Sequence, residues 1–232
     1  MKKGLQTAVM ALLAVVIFGG EENDVFAETL SIVHVNAPAV NCKFDSSCKV
    51  VANDFVTDFA WSSSSNDSFL QSRTWPQGKP GTVAAGLYPY LYRIDLSKTM
   101  AVANYTCVTS FRIPFGPVEA VDYSGSGTAN HVFVITSGGL GSIEPVTAVR
   151  DNFGMIDFTF QQPFCDGGQP GKGGMTFFFG LSSKYSSRKV TSNLSRNIGP
   201  TILLDSKAPA FPVLAHPPAP KQKAPKKMQE KP

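Results

Sequence analysis

The chain has 232 residues, with 21 basic and 17 acidic side chains and a formal net charge of +4. Charged residues make up only 16%, aromatic residues reach 11%, and 20 glycines with 17 prolines divide the apolar runs into short segments. This composition is typical of an all-β protein. After Ala27 no segment reaches the roughly eighteen uninterrupted apolar residues of a membrane-spanning helix, which excludes a further span.

The N-terminus has the three parts of a secretory signal peptide. Lys2 and Lys3 supply the positive charge, residues 9–18 (VMALLAVVIF) form the apolar segment, and Val25 and Ala27 are small residues suited to a cleavage site. As a helix the apolar segment would be about 15 Å long, which is too short to span a bilayer. We therefore expect residues 1–27 to be removed and the protein to be secreted, periplasmic or exposed at the cell surface.

Alternating apolar and polar residues predict a series of short strands after the signal peptide. Pro89 removes a backbone donor from one of them, so that strand is expected at a sheet edge or at a bulge. About eight to ten strands predict an antiparallel β-sandwich over residues 28–183. The clearest predicted strands cover residues 29–36, 48–52, 55–61, 69–75, 86–96, 107–115, 131–136, 155–160 and 175–181.

Residues 184–232 differ from the rest of the chain, with ten basic and two acidic side chains. Apart from a short strand that the run at 201–204 would allow, this segment is predicted to be a largely disordered tail rich in Pro, Ala and Lys. Its end is either a cationic arm that attracts anionic envelope polymers, lipids or acidic proteins, or a solubilising terminus. Nucleic acid is a poor partner because residues 28–183 are acidic. The lysines of this arm are Lys221, Lys223, Lys226, Lys227 and Lys231.

Four cysteines remain after the expected cleavage, an even number in a compartment where thiols oxidise. Three pairings are formally open. The short polar stretch between Cys42 and Cys48 favours a bridge between them, which leaves Cys107 to pair with Cys165. Zinc binding is disfavoured because the chain has no Cys-x-x-Cys pair.

The segment DYSGSGTAN, residues 122–130, has oxygen-bearing side chains with the spacing of a calcium-binding loop: Asp122, Ser124, Ser126 and Asn130. It resembles the calcium loops of dockerin-like and FG-GAP-type extracellular repeats, with serines where aspartates are usual. The resemblance implies a weak Ca²⁺ site. The alternative is a hairpin turn in which Asp122 and Asn130 bind nearby backbone groups.

An aromatic strand face offers a possible ligand surface. Tyr88, Tyr90 and Tyr92 share one face of a predicted strand, and Trp75 lies near a loop. Such side chains stack on sugars because each combines an apolar ring with a polar handle. The alternative is a half-buried row of aromatic residues that only stabilises the sheet.

Three segments, CVTSFRIPFGPVEAVDYSGSG, HVFVITSGGLGSI and TFFFGL, are similar to a group of uncharacterised secreted bacterial proteins. The similarity covers most of residues 40–183, and some members of this group carry a C-terminal membrane sorting tail. It implies an exported surface or periplasmic protein. This chain departs from the sorted members because no hydrophobic span precedes its final basic residues.

These observations favour an exported, non-enzymatic protein that binds or scaffolds at the cell envelope. A carbohydrate-binding module that uses the tyrosine face is the first alternative. A secreted hydrolase is the second, and it would need a pair of carboxylates or His131 in a concave pocket. No catalytic residue is assigned, and the only cofactor considered is a weakly bound calcium ion.

Overall fold

The computed structural model describes residues 27–61, 68–101, 104–169 and 171–211, and these residues form twelve strands and one short helix. The predicted signal peptide up to residue 26 and the five lysines from residue 221 onward lie outside the described residues. Within the described part of the chain, no helix is long and apolar enough to cross a membrane. In chain order the elements are β1 (Glu28–Thr29), β2 (Ile32–Asn36), α1 (Ala37–Asn41), β3 (Asn53–Phe59), β4 (Ser68–Thr74), β5 (Tyr88–Asp95), β6 (Cys107–Pro114), β7 (Val132–Ser137), β8 (Pro145–Arg150), β9 (Met155–Cys165), β10 (Phe178–Ser183), β11 (Ser187–Arg196) and β12 (Ile202–Pro209).

The strands form two six-stranded sheets that pack as a sandwich, which confirms the predicted fold class. Sheet A has the order β1-β8-β9-β6-β11-β12, and sheet B has the order β2-β7-β10-β5-β4-β3. Neighbouring strands are antiparallel except for β2 and β7, which are parallel. Leu30 and Ser31 carry the chain from sheet A to sheet B, so the predicted strand at residues 29–36 is in fact two strands in different sheets.

The principal core lies between the two sheets and is rich in aromatic rings. Phe111 and Phe158 from sheet A meet Tyr92 and Phe179 from sheet B, and all four are fully buried. The ring centroids of Phe158 and Phe179 are 4.9 Å apart, and those of Tyr92 and Phe111 are 5.5 Å apart. These contacts join the sheets because alternate side chains of each strand point toward the other sheet.

A second, smaller core covers the opposite, outer face of sheet B. Leu91, between Tyr90 and Tyr92 on β5, belongs to this cluster, whereas its two neighbours belong to the principal core. The cover comes from α1 and from loops, whose buried side chains include Val40, Phe44 and Tyr123. Sheet B is therefore buried on both faces over part of its area.

Both predicted disulfides are present. Cys42–Cys48 closes the loop that follows α1, and Cys107–Cys165 joins β6 to β9, where the two residues are direct cross-strand partners. All four cysteines are used. The predicted strand at residues 48–52 is not formed, because this stretch lies beside the Cys42–Cys48 loop and has no strand partner.

The predicted domain boundary at residue 183 is wrong. β11 lies between β6 and β12 in sheet A, and its side chains Val190 and Leu194 are part of the principal core. The domain therefore continues at least to Pro209, and five of the ten basic residues assigned to the tail belong to it. Between residues 28 and 211 the sequence has fourteen basic and thirteen acidic side chains, so the domain is almost neutral.

The predicted edge position of the strand with Pro89 is also wrong. β5 lies in the interior of sheet B, paired with β4 on one side and β10 on the other. The missing N–H is tolerated because Pro89 is the second residue of β5 and the β4–β5 pairing ends at Thr74 and Tyr90, one position before it.

Candidate functional site

The predicted tyrosine face is mostly an inner face of the sandwich. Tyr90 and Tyr92 are 1% and 0% exposed, and their hydroxyls donate to the carbonyls of Tyr185 at 2.6 Å and Lys207 at 2.8 Å. Burial raises the pKa of both phenols, so they stay neutral donors. The alternation correctly placed these residues on one face, but that face is buried and offers no stacking surface at Tyr90 or Tyr92.

Tyr88 and Trp75 lie at the margin of this face. Together with Tyr90 they line a cavity of about 330 Å³ beside Pro76 and Ser186. Tyr88 is half-buried, whereas Trp75 is only 6% exposed and packs edge-on against Phe44 with centroids 5.5 Å apart. Trp75 therefore belongs to the second core, and Tyr88 is the one member of the predicted set with substantial exposure.

The predicted calcium loop is organised by its own backbone. One carboxylate oxygen of Asp122 accepts hydrogen bonds from the Gly125 and Ser126 amides at 2.7 and 3.0 Å, and the other accepts from Gly127 at 2.9 Å. Gly125 and Gly127 have φ of +81° and +86°, which turns their amides toward the carboxylate. These bonds lower the pKa of Asp122, with the largest contribution from the Gly127 amide.

The remaining predicted calcium ligands bind within the same loop. Ser124 donates to Ser126 at 2.9 Å, and the side chain of Asn130 donates to the Thr128 carbonyl at 3.1 Å. This is the hairpin alternative, in which Asp122 and Asn130 serve backbone groups. Within the described residues no group of three or more His, Cys, Asp or Glu side chains could hold a metal ion. The weak Ca²⁺ site at Asp122, Ser124, Ser126 and Asn130 stays a prediction.

A groove of about 420 Å³ lies on the outer face of sheet B, and we call it the sheet-B groove. Its walls are α1, the residues that follow Cys48, and the loop after β7. Most of its lining is apolar, with four polar side chains among it. The lining residues are Ala37, Asn41, Val50, Ala52, Gln71, Arg73, Trp75, Leu91, Arg93, Ile135, Gly138, Gly139, Leu140 and Phe178.

Strand register brings the polar residues of the groove together. Gln71 on β4 lies directly opposite Arg93 on β5, and Arg73 lies opposite Leu91. Both guanidinium groups lie over the ring of Phe178, with Cζ 4.6 Å from the ring centroid for Arg73 and 5.1 Å for Arg93. Arginine makes such contacts readily because its planar guanidinium can stack on a ring while its edge still donates hydrogen bonds.

The two arginines differ in how fully they are paired. Arg73 makes a bidentate pair with Asp54, at 2.6 and 2.9 Å, which holds the pKa of that carboxyl low. Arg93 is only 8% exposed, yet its nearest acidic contact is an Asp95 oxygen at 4.0 Å, and one terminal nitrogen faces the Met175 sulfur at 3.7 Å. Burial lowers the pKa of Arg93, the charge of Asp95 opposes this shift, and the charge of Arg73 adds to it.

A larger cavity, of about 610 Å³, lies at one end of the sandwich. Its charged lining residues are all paired: Arg150 pairs with Glu28, and Asp151 pairs with Arg112, which lies outside the lining, at 2.8 Å. Its larger volume favours this cavity as a ligand site. The poorly paired, buried guanidinium favours the sheet-B groove instead.

The two histidines in the described part of the chain, His34 and His131, both have nearby partners. His34 pairs with Glu144 at 2.9 Å, and His131 Nδ1 lies 3.0 Å from the Ser31 hydroxyl and 3.2 Å from the Ser31 amide nitrogen. The backbone N–H of Ser31 can only donate, so Nδ1 acts there as an acceptor that already has a donor. None of these residues lines the sheet-B groove or the larger cavity.

Sequence reasoning selected Trp75 in the groove and missed Gln71, Arg73, Arg93 and Phe178. The available signal was the alternation on two strands, which puts Gln71 with Arg73 on one face of β4 and Leu91 with Arg93 on one face of β5. The register between the strands was needed to bring these pairs together.

Comparison with known proteins identified no relative of this chain. No protein-family model, curated protein or solved structure matches this chain.

Proposed function

We propose that this protein is an exported, non-enzymatic binding protein of the cell envelope and that the sheet-B groove is its ligand site. The main support for this proposal is Arg93, a nearly buried guanidinium with incomplete pairing in a mainly apolar groove. Burying such a group without partners costs free energy, so folded proteins retain it mainly where it has a function. Preformed apolar pockets with a few polar groups are typical of binding sites.

Export is supported by two features. The N-terminal segment has the charge and apolar length of a signal peptide. The two disulfides fit an oxidising compartment, because the cytosol keeps most thiols reduced. N-terminal sequencing of the protein recovered outside the cytoplasm tests this part, and Glu28 is the expected first residue.

The lysine-rich end from residue 212 supplies the second half of the proposal. Five lysines in eleven residues form a strong positive charge at the C-terminus, which would hold the protein near anionic envelope polymers. In this arrangement the tail localises the protein and the groove selects the ligand. Release from envelope fractions by salt, and loss of retention on deletion of residues 212–232, are the expected results.

The groove assignment is tested by capture from envelope extracts with a matched pair of variants. Arg73→Gln and Arg112→Gln each remove a strand arginine that is paired with one aspartate, the first in the groove and the second on sheet A. We expect Arg73→Gln, and Arg93→Gln more strongly, to reduce capture, and Arg112→Gln to leave it unchanged. Equal capture by all of these folded proteins would contradict the assignment.

A further inference from the structure

The charged residues that line the sheet-B groove are all positive. Arg73 and Arg93 belong to the lining, and none of the described residues that line it is an aspartate or a glutamate. Both guanidinium groups lie over the ring of Phe178, so two like charges are held against one ring. A negative group that contacts both would relieve their repulsion, and charge complementarity therefore favours an anionic ligand.

Two carboxylates approach these arginines from outside the lining and do not use all of their donors. Asp54 accepts from Nε and Nη2 of Arg73, which leaves Nη1 without a partner among the described residues. The Arg73 side chain is 29% exposed, so a ligand can reach it. Asp95 accepts from the Ser97 amide at 2.8 Å and lies 4.0 Å from Arg93 Nη2, beyond hydrogen-bond distance.

The groove has a charged half and an apolar half. The strand order β7-β10-β5-β4 places Arg73 on β4 and Arg93 on β5 at one side. Ile135 on β7 and Phe178 on β10 are direct cross-strand partners at the other side, and Leu140 extends the apolar half from the loop after β7. This arrangement suits a ligand with an anionic group at one end and an apolar body.

We propose, building on the binding function above, that the sheet-B groove binds a linear aliphatic carboxylate. The carboxylate contacts Arg73 and Arg93, because a guanidinium matches the two oxygens of a carboxylate in geometry and charge. The hydrocarbon chain crosses Phe178 and packs against Ile135 and Leu140, where its burial removes apolar surface from water.

A peptide or a saccharide fits this groove less well. Each peptide residue brings a backbone N–H and C=O that need partners, and each sugar brings several hydroxyls. Apart from the indole of Trp75, Asn41 and Gln71 are the only uncharged polar side chains among the described residues of the lining. Gln71 already hydrogen-bonds to Asp54. A hydrocarbon chain needs no such partners.

The test is a calorimetric titration of the purified full chain with four small probes. Octanoate has both the charge and the chain, octanamide keeps the chain without the charge, octylammonium reverses the charge, and acetate lacks the chain. We expect octanoate to bind, octanamide to bind at least tenfold more weakly, and the other two to bind least. From butanoate to octanoate, each methylene should improve the affinity by up to about fourfold. Equal affinities for octanoate and octanamide, tighter binding of octylammonium, or no binding of octanoate would overturn the proposal.

Variants at the charged half connect the preference to the arginines. Arg73→Gln should weaken octanoate binding about tenfold and leave octanamide unchanged, whereas Arg112→Gln on sheet A should bind octanoate like the wild type. Asp54→Asn removes the competing carboxylate from Arg73 and should strengthen octanoate binding about threefold. A gain in affinity cannot come from misfolding. Octanoate affinity that is unchanged in both Arg73→Gln and Asp54→Asn would contradict the proposed contact.

Variants at the apolar half use two exposed leucines as a matched pair. Leu140 in the groove is 58% exposed and Leu203 on β12 is 67% exposed, so both should accept a serine without unfolding. Leu140→Ser should weaken octanoate binding about fivefold and hardly affect butanoate, and Leu203→Ser should affect neither. Equal effects of the two substitutions would contradict the position of the chain.

These outcomes separate the ligand class from the binding function. If Arg73→Gln and Arg93→Gln abolish capture of envelope material but octanoate binds no better than octanamide, the carboxylate assignment fails and the groove remains the binding site. If octanoate binds as described but capture is independent of both arginines, the envelope-binding function fails.

Discussion

The hydrogen bond between Tyr123 and Ser182 connects the cover of the second core to sheet B. The phenol donates to Ser182 Oγ at 2.8 Å, and both residues are 0% exposed. Burial raises the pKa of Tyr123, so the phenol remains a neutral donor over the working pH range. Tyr123→Phe removes the hydroxyl and retains the ring, whose centroid lies 4.6 Å from that of Phe133.

The expected cost follows from burial at both ends of the bond. A typical intramolecular hydrogen bond contributes about 1 kcal/mol net, and an orphaned buried hydroxyl costs about 1–3 kcal/mol. Tyr123→Phe should therefore lower the free energy of unfolding by about 1.5 kcal/mol. Adding Ser182→Ala removes the orphaned group, so the double variant should be less destabilised than the sum of the single variants by about 1 kcal/mol.

Urea unfolding measures both quantities. With a slope of about 2 kcal/mol per molar urea, the midpoint should fall by about 0.7 M in Tyr123→Phe. The two tryptophans report on the unfolding of different cores, because Trp61 lies in the principal core and Trp75 in the second core. Single-tryptophan proteins with Trp61→Phe or Trp75→Phe would show whether the second core loosens first. Additive single and double effects, or an unchanged midpoint, would refute the reasoning.

Three further predictions concern the bridges, one ion pair and one glycine. Removing Cys107–Cys165 should cost about 4 kcal/mol and removing Cys42–Cys48 about 2 kcal/mol, because the bridges span 58 and 6 residues; equal losses of thermal stability would contradict the loop-length argument. Lys79 and Ser47 lower the Asp45 pKa from 3.8 to about 2. The contribution of ionised Asp45 to the free energy of unfolding should therefore be complete above pH 4 and should disappear as the pH falls to 2. Asp45→Asn should show no such loss in acid unfolding. Gly180→Ala should destabilise by about 1–3 kcal/mol, because a Cβ would lie 2.6 Å from Phe133 Cζ and from the Tyr90 carbonyl oxygen; a melting temperature equal to that of the wild type would show that the neighbours can move.

Local patterns predicted most of the strands and both cystines. Residues 107–115 and 131–136 correspond closely to β6 and β7, because period-two alternation and flanking turn residues are local properties. The Cys42–Cys48 pairing followed from the short spacing. The prediction missed β8 and placed β11 in a tail, where polar and apolar residues alternate without a strong apolar run.

The candidate site was less accessible to such reasoning. Alternation shows which side chains share a face, but it does not show which face another layer covers. Tyr90 and Tyr92 were therefore considered for an exposed platform although they lie in the core. Likewise, Gln71 and Arg93 are 22 positions apart in the chain, and only the β4–β5 register makes them neighbours.

The sequence by itself determined the all-β class, the approximate strands and the cystine pairing, because these depend on side-chain periodicity and on short spacings. Tertiary structure decided where the domain ends, which faces of sheet B are buried, and how two arginines and a glutamine meet in one groove. The physical reason is that burial and strand register come from packing between segments far apart in the chain. That packing leaves Arg93 with few partners, and this is the feature on which the proposed function depends.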